Sequence, residues 1–329
     1  MAAALRAGLI GVGMMGRHHA RVLRELPGVE LVAIADPGGD PHGVAGDLEV
    51  LPDVDAMIAV GIDLAVVAIP TRFHYDAAMK LADADVHTLV EKPIAQTVEQ
   101  GREMTAAFAE RGLVGAVGHI ERFNPALQEM RRRIAAGDLG EVYQVATRRQ
   151  GPFPARIADV GVVKDLGSHD VDLTAWVAQS DYASISARTL HKSGREYEDM
   201  VLATGMLRSG VLVNHIVNWL SPMKERVTIV TGELGALVAD TSTGDLTLFR
   251  NGTVPTEWEA VSAFRGVSEG DMIRFAFAKR EPLRVEHEAF RDAVLGERHD
   301  VVTMEEGLRT LEVVEGVIAS AATGTVVEF

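Results

Sequence analysis

Cysteine is absent from the 329-residue chain. Its absence excludes disulfides, a thiolate nucleophile and a cysteine-ligated metal, and nothing suggests an oxidising compartment. No uninterrupted apolar run approaches the length of a membrane span, and residues 1–6 are too short and too weakly apolar for a secretory signal. We therefore expect a cytoplasmic protein with no membrane partner.

Positive charge is also scarce: the chain has 32 Lys and Arg residues and 47 Asp and Glu residues, which gives a net charge of −15. Nucleic acids are bound largely through clustered Lys and Arg, so we expect no nucleic-acid partner. The net charge does not exclude an anionic small molecule as ligand, because a pocket can be locally basic on an acidic protein. The apolar and charged fractions, 47% and 24%, are those of a globular protein of one or two domains.

A glycine-rich turn near the start of the chain carries the strongest motif. A short apolar strand runs into Gly11-x-Gly13-x-x-Gly16, with Met14 and Met15 opening the helix behind it. In a dinucleotide-binding turn the first glycine permits the tight turn, the second admits the pyrophosphate, and the third lets helix and strand pack closely. The alternative is a chance glycine turn.

An acidic residue follows at the spacing that this motif requires. A second strand, 29–35, ends in Asp36, 20 residues past Gly16. A carboxylate there bonds the ribose hydroxyls of NAD and repels the 2′-phosphate of NADP. The sequence therefore predicts NAD as the cofactor.

The first part of the chain alternates strands with helices, which predicts a doubly wound parallel sheet. After about residue 120, strand-like runs separated by tight turns predict a second α+β domain with an open, mostly antiparallel sheet. We therefore expect an α/β Rossmann domain over residues 1–120 and a substrate-binding and oligomerisation domain over residues 121–329. The segment 37–43 is too rich in Gly and Pro for the usual crossover helix.

Two loops follow parallel strands, at the edge where ligands of such sheets bind. Glu91-Lys92-Pro93 comes after the buried strand 86–90, so Lys92 is either a surface lysine or a group that meets the substrate. Pro70, Thr71 and His74 follow the strand 63–69, where they would line the cofactor. His74 could equally be a helix-start residue with no ligand.

Asp165 and His169 form a second centre, four residues apart at a predicted helix start. A carboxylate beside an imidazole suits removal of a proton from an alcohol near neutral pH. The alternative makes Asp165 or Ser168 a helix cap and His169 a packed residue. Together with Asp172 these residues form a cluster of potential metal ligands, and we expect no metal there.

Several arginines precede this centre in the sequence. Arg149 and Arg156 border a Gly-Pro-Phe-Pro loop, and Arg122 and Asn124 follow the last Rossmann strand. Arginine forks suit a diphosphate or a carboxylate, so these four residues are candidate substrate ligands. For any single arginine, a solvated loop remains the alternative.

The motifs together resemble the glucose–fructose oxidoreductase/inositol dehydrogenase/MocA-like (Gfo/Idh/MocA) family over nearly the whole chain. The resemblance rests on the glycine loop with His19, on Glu91-Lys92-Pro93, and on Asp165-x-x-x-His169 with Asp172. Segments 118–126 and 159–165 resemble the branch that oxidises UDP-N-acetylglucosamine, or its uronic acid, at C3.

The resemblance implies an NAD(H)-dependent dehydrogenase in which Lys92, Asp165 and His169 act on a sugar or polyol hydroxyl. It implies that the cofactor is bound by Gly11, Gly13, Met14, Met15, Gly16, Asp36, Pro70, Thr71, His74, Glu91 and Lys92. An inositol or free-sugar dehydrogenase is the alternative within the family, and a non-catalytic NAD- or sugar-binding sensor is the alternative of another class. A homodimer or homotetramer is expected, through an apolar sheet face assigned to Val201, Val211, Val213 and Ile216.

Overall fold

The structure is a computed structural model that describes residues 4–154, 160–252, 269–297 and 300–329. Its strands are β1 (Leu5–Ile10), β2 (Val29–Ala35), β3 (Val50–Leu51), β4 (Leu64–Val67), β5 (His87–Glu91), β6 (Gly115–Gly118), β7 (Val142–Pro152), β8 (Tyr182–Leu190), β9 (Met200–Leu207), β10 (Leu212–Asn218), β11 (Leu220–Gly232), β12 (Gly235–Asp240), β13 (Asp245–Asn251), β14 (Glu269–Arg274) and β15 (Val327–Glu328). Its helices are α1 (Met14–Glu25), α2 (Val54–Ala59), α3 (His74–Asp83), α4 (Val98–Glu110), α5 (Pro125–Ala135), α6 (Ser168–Ala178), α7 (Pro282–Val294) and α8 (Met304–Thr323).

The described chain divides into two compact units. The first runs up to Ile120 and also takes Glu281–Glu312, and the second comprises Glu121–Arg280 and Val313–Phe329. The sequence places every residue after 120 in the second domain, whereas in the structure α7 packs with the Rossmann strands. The side chain of Phe290 on α7 is 1% exposed and belongs to the same core as Leu9 of β1 and Leu23 of α1.

The first unit is built on a six-stranded parallel sheet in the order β3-β2-β1-β4-β5-β6. All four residues of β4 are buried, as a strand covered by helices on both faces requires. The connection from β2 to β3 contains no helix, as the Gly- and Pro-rich sequence predicts. The doubly wound prediction is therefore confirmed, and it places the loops after β1, β2, β4 and β5 at the ligand-binding edge.

The second unit contains a nine-stranded sheet in the order β14-β13-β12-β11-β7-β10-β9-β8-β15. Among the described strands of this sheet, only β7 and β10 pair in parallel, so the predicted mostly antiparallel sheet is confirmed. Residues of α5, α6 and α8 form a common core with one face of this sheet. Among the residues that the structure describes, every helix falls short of the length and apolarity of a membrane span.

The predicted exposed face of this sheet needs correction. Val201, Val211 and Val213 are buried in the core. The alternate residues Leu202 and Leu212 face away from it, 50% and 58% exposed. Ile216, the fourth residue of the predicted face, pairs with Leu202 on this open side and is partly exposed. Both faces of these strands are apolar, so the sequence did not distinguish the buried face from the open one.

Candidate functional site

The glycine loop of the first unit has the geometry of a dinucleotide-binding turn. Gly11 has φ +95°, and a Cβ there would lie 2.5 Å from the carbonyl oxygen of Ala68. A Cβ on Gly16 would lie 2.0 Å from the carbonyl oxygen of Gly11, so helix α1 can pack this close only with glycine. A Cβ on Gly13 would meet no atom within 4 Å. Two glycines are therefore needed by the chain itself, and the third borders open space.

That open space lies at the start of α1. Gly13 is the N-cap residue and supplies no side-chain cap, so the first N–H groups of the helix have no side-chain acceptor there. Met14 and Met15 begin the helix with exposed side chains. Uncapped N–H groups and the positive end of the helix dipole suit a phosphate, so these residues fit the pyrophosphate of NAD.

Asp36 follows β2 and is fixed by two backbone donors. The N–H of Val12 donates to Oδ2 at 3.0 Å, and the N–H of Gly38 donates to Oδ1 at 2.8 Å. Each carboxylate oxygen retains a further lone pair for a hydroxyl donor. The side chain is partly exposed next to the glycine loop, which suits the ribose contact predicted for it.

His74 joins two loops of the same sheet edge. The ring is buried, with Nε2 at 2.8 Å from the carbonyl oxygen of Ile69 and Nδ1 at 3.0 Å from that of Pro93. Burial lowers the pKa of His74. Both ring nitrogens face backbone carbonyl oxygens, and a neutral ring can donate to one of them, so this geometry favours a positioning role for His74. In the segment before it, Pro70 is exposed and Thr71 is partly exposed.

Glu91 ends β5 and is anchored by a histidine that the sequence did not assign to the site. His19 of α1 is fully buried, with Nε2 at 2.8 Å from Oε1 of Glu91 and Nδ1 at 2.8 Å from Nε2 of His287 on α7. Burial, and then the charge of His19, lower the pKa of His287 well below its usual value. His287 lies 268 residues from His19 in the chain, and no local pattern could have paired them.

This pairing fixes the backbone from which Lys92 projects. Burial acts to raise the pKa of Glu91, but the hydrogen bond and charge of His19 and the charge of Lys92 together lower it. The N–H of Lys92 lies 3.2 Å from Oε2 of Glu91, and the Lys92–Pro93 peptide bond is cis. Lys92 is partly buried at the carboxyl end of β5. The first unit thus supplies an ionised carboxylate and an amine at one strand end.

Asp165 and His169 lie in the second unit on one continuous helical segment. Asp165 is in a π-helical turn, Val163–Gly167, and His169 is in the first turn of α6. No side chain caps α6, and the hydroxyl of Ser168 donates to the carbonyl oxygen of Lys164 at 2.8 Å. The alternative in which Asp165 or Ser168 caps the helix is therefore wrong. Such π-helical turns are frequent at functional sites.

Glu198 holds this π-helical turn in place. Its Oε1 accepts from the N–H of Val163 at 2.9 Å, and its carbonyl oxygen accepts from the N–H of Val162 at 3.0 Å. A Cβ on Gly161 would lie 2.0 Å from Oε1 of Glu198, so a larger residue there would displace the Glu198 carboxylate. Glu198 precedes β9 and gave no sequence signal, because its contact is made across the unit.

Two of the candidate substrate ligands are used within the protein. Arg122 forms a buried two-pronged ion pair with Asp172, with Nε at 2.9 Å from Oδ2 and Nη2 at 2.7 Å from Oδ1. Asn124 caps α5 through the N–H of Ala126 and donates to the carbonyl oxygen of Thr241 at 3.0 Å. Both side chains thus bind groups of this chain, and their role as substrate ligands stays a prediction.

Arg149 is likewise internal. Its side chain is buried, with Nε 2.8 Å from Oδ1 of Asp170 and Nη1 2.9 Å from Oε1 of Glu121. Burial opposes its charge, yet the two carboxylates raise the pKa of Arg149 overall. Arg149 therefore fits a structural ion-pair network better than a diphosphate site, and Arg156 lies outside the described residues. No group of three metal-binding side chains occurs in the described ranges.

Comparisons with known proteins match a Rossmann domain to the first unit and a different domain to the second. A family model described as an oxidoreductase family with an NAD-binding Rossmann fold matches residues 5–119. The model of the GFO/IDH/MocA C-terminal domain matches residues 127–238. The two models thus match in the order in which the two sheets occur.

Among similar proteins is the UDP-N-acetylglucosamine 3-dehydrogenase of Acidithiobacillus ferrooxidans, 32% identical over 213 residues, which are 64% of this chain and 66% of that protein. A solved structure of that enzyme, GnnA, superposes with a TM-score of 0.83 at 26% identity over 98% of this chain and 99% of its own. The scyllo-inositol 2-dehydrogenase (NAD(+)) of Bacillus subtilis is 31% identical over 198 residues, 55% of this chain and 56% of that protein. GenD2 from gentamicin A biosynthesis, solved in complex with NAD, superposes with a TM-score of 0.81 at 25% identity over 100% of this chain and 97% of its own.

Proposed function

Because this chain belongs to the Gfo/Idh/MocA family of oxidoreductases, whose N-terminal domain is an NAD-binding Rossmann fold, we propose that it is an NAD-dependent dehydrogenase acting on a sugar ring hydroxyl. The observation that carries the proposal is the joint presence of a glycine loop fitted to NAD, an anchored Glu91-Lys92 pair, and Asp165 and His169 on one helical segment. A sensor would need no such proton-handling set.

NAD held by the glycine loop and Asp36 would supply the hydride acceptor for the carbon that bears the hydroxyl. His169 takes the hydroxyl proton, and Lys92 donates a hydrogen bond to the same oxygen while negative charge develops on it. Asp165 orients His169 and stabilises its protonated form. Oxidation of the alcohol to a ketone therefore transfers one proton to His169 and removes one hydride, which carries two electrons.

We propose C3 of a UDP-N-acetylhexosamine, or of its uronic acid, as the site of oxidation. The support is the resemblance to the enzyme named UDP-N-acetylglucosamine 3-dehydrogenase, whose solved structure matches nearly the whole chain. The ion pairs of Arg122 and Arg149 favour the second candidate, an inositol or free-sugar dehydrogenase, because they remove two expected diphosphate ligands. The relative named scyllo-inositol 2-dehydrogenase represents that candidate.

A substrate panel separates these possibilities. We expect reduction of NAD with UDP-N-acetylglucosamine or its uronic acid, inhibition of that turnover by UDP, and weaker reduction of NADP because Asp36 repels a 2′-phosphate. Nicotinamide absorbance is followed with nucleotide sugars, monosaccharides and inositols, each with both cofactors. Turnover of inositols or free sugars alone, without inhibition by UDP, would favour the second candidate. No turnover with any compound would favour a sensor.

We propose that the protein is a homodimer or homotetramer assembled through the open face of its nine-stranded sheet. Leu202, Met206 and Leu212 lie on that face and are between 42% and 58% exposed. Leu212 pairs with Met206 across β9 and β10, and Leu202 pairs with Ile216. Contiguous exposed apolar residues on a sheet commonly mark an interface. Light scattering at micromolar concentration should give twice or four times the 35.4 kDa chain mass, and a monomer alone would contradict the proposal.

A further inference from the structure

A cluster of one arginine and three aromatic rings in the second unit has none of the roles assigned above. The guanidinium carbon of Arg195 lies 4.6 Å from the ring centre of Phe153, 5.2 Å from that of Trp219 and 5.9 Å from that of Tyr197. The rings of Phe153 and Trp219 meet edge to face with centroids 5.4 Å apart. We refer to these four residues as the aromatic–arginine cluster.

Two hydrogen-bond donors of this cluster are shielded from solvent. Neither Nε1 of Trp219 nor Nη1 of Arg195 has an acceptor in the described part of the chain. Trp219 is 3% exposed, whereas Phe153 at the edge of the cluster is 38% exposed. Leaving buried donors unbonded is unfavourable, so two such donors in one cluster favour an acceptor supplied by a bound ligand.

The charge of Arg195 is only partly matched by the protein. Its Nη2 donates to the backbone carbonyl of Val160 at 3.0 Å. The carboxylate of Asp199 interacts electrostatically with Arg195 but already accepts from the N–H of Lys192 at 2.7 Å and from the N–H and hydroxyl of Ser193 at 2.8 and 2.7 Å. The guanidinium thus keeps a donor edge for an anion, and its flat face is held by aromatic rings.

The backbone connects the cluster directly to the proposed catalytic segment. Val160, which accepts from Arg195, precedes Gly161, whose carbonyl oxygen accepts from the N–H of Asp165 at 3.1 Å. The N–H of Trp219 donates to the carbonyl oxygen of Asp199 at 2.9 Å, so Trp219 is fixed to the chain that leads into β9. An anion bound here lies within the second unit, next to the segment that carries Asp165.

We propose that Arg195 and Trp219 form a binding site for an oxyanion of the substrate, a carboxylate or a phosphate, with an apolar face of the ligand resting on Phe153. The inference builds on the proposed function, because it supplies the cationic group that Arg122 and Arg149 do not offer. It assigns substrate specificity, and no chemical step, to the cluster.

Two substitutions test the site while preserving its packing. Trp219→Phe removes the indole N–H and keeps a buried ring, and Arg195→Gln removes the charge and the planar fork. We expect the dissociation constant of the recognised ligand to rise about tenfold for Trp219→Phe and about tenfold to a hundredfold for Arg195→Gln. Trp176→Phe and Arg131→Gln are the matched controls, because the Arg131 guanidinium carbon lies 4.5 Å from the ring centre of Trp176 elsewhere in the unit.

Binding is measured by calorimetry in the presence of NADH, with UDP, UDP-N-acetylglucosamine, its uronic acid and glucuronate as probes. Weaker binding of UDP and both nucleotide sugars identifies the oxyanion as phosphate. Weaker binding of the uronic acid and glucuronate alone identifies it as carboxylate. Melting temperatures within a few degrees of wild type confirm that the variants are folded.

Binding by the variants tests the oxyanion site, and turnover by the wild type tests the dehydrogenase function. If wild type oxidises a sugar or nucleotide sugar and both variants bind it within twofold of wild type, the oxyanion site is wrong and the dehydrogenase stands. If wild type binds none of the four probes, the oxyanion site is wrong as well, and turnover on the substrate panel decides the function separately.

Discussion

Replacing Lys92 with Met should lower turnover about 10²- to 10³-fold, the loss typical of removing one donor that stabilises a developing oxyanion. The affinity for NAD should stay within about twofold, because the glycine loop and Asp36 are unaffected. Met keeps the length and apolar stem of the side chain and removes only its charge and its donors. Turnover on the substrate identified by the panel and the dissociation constant of NADH are the two measurements.

Lys80→Met is the control for this substitution. Lys80 belongs to the same unit, is 48% exposed and pairs with Asp55 at 2.5 Å on the surface, so its loss should leave turnover within about twofold. A Lys92→Met variant that turns over at a near-normal rate would remove Lys92 from the proposed mechanism. A variant that loses NADH binding to the same degree as turnover would instead place Lys92 in cofactor binding alone.

The parts of the fold that the sequence predicts are those determined by local pattern. The continuous apolar run of β4 indicates a strand buried on both faces, and the structure buries it completely. The glycine loop is predictable because each steric requirement acts over a few residues, as the close approach of Gly16 to Gly11 illustrates. The helix-free connection between β2 and β3 follows from Gly and Pro in the same way.

The parts that the sequence does not predict depend on contacts between distant segments. The pairing of His19 with His287 and the anchoring of the π-helical turn by Glu198 join residues far apart in the chain. The sequence does not predict strands β14 and β15. Strand β14 begins far along the chain from β13, and β15 has only two residues. The sequence shows that His19, His287 and Glu198 are present, but it does not show the neighbours that determine their roles.

The arginines near the proposed site illustrate the same limit at the level of charge. Arg122 and Arg149 look like free cations in the sequence, on a chain that has few of them. Folding places Asp172 against one and Asp170 and Glu121 against the other, so both are paired within the protein. A sequence pattern predicts that a cation is present, but whether it is available to a ligand depends on the fold.

Replacing Asp172 with Asn should therefore destabilise the protein by about 3–5 kcal/mol, since it removes the carboxylate from a buried arginine without changing the shape of the side chain. The side chains of Arg122 and Asp172 are 8% and 1% exposed, so water cannot replace the lost charge. Urea unfolding followed by circular dichroism measures the loss of free energy. Asp245→Asn is the control: its carboxylate pairs with two exposed cations, Arg274 at 2.6 Å and Lys279 at 2.5 Å, which water can solvate, so the loss of stability should be clearly smaller.

The double variant Arg122→Met with Asp172→Leu decides whether Arg122 is structural. Removing both charges leaves no buried ion without its partner, so the pair of substitutions should destabilise the protein less than Asp172→Asn alone. If Arg122 serves only this ion pair, the double variant keeps its KM for the panel substrate within about twofold of wild type. A large rise in KM with unchanged stability would show instead that Arg122 binds the substrate, as the sequence alone suggests, and that its pairing with Asp172 contributes little to folding.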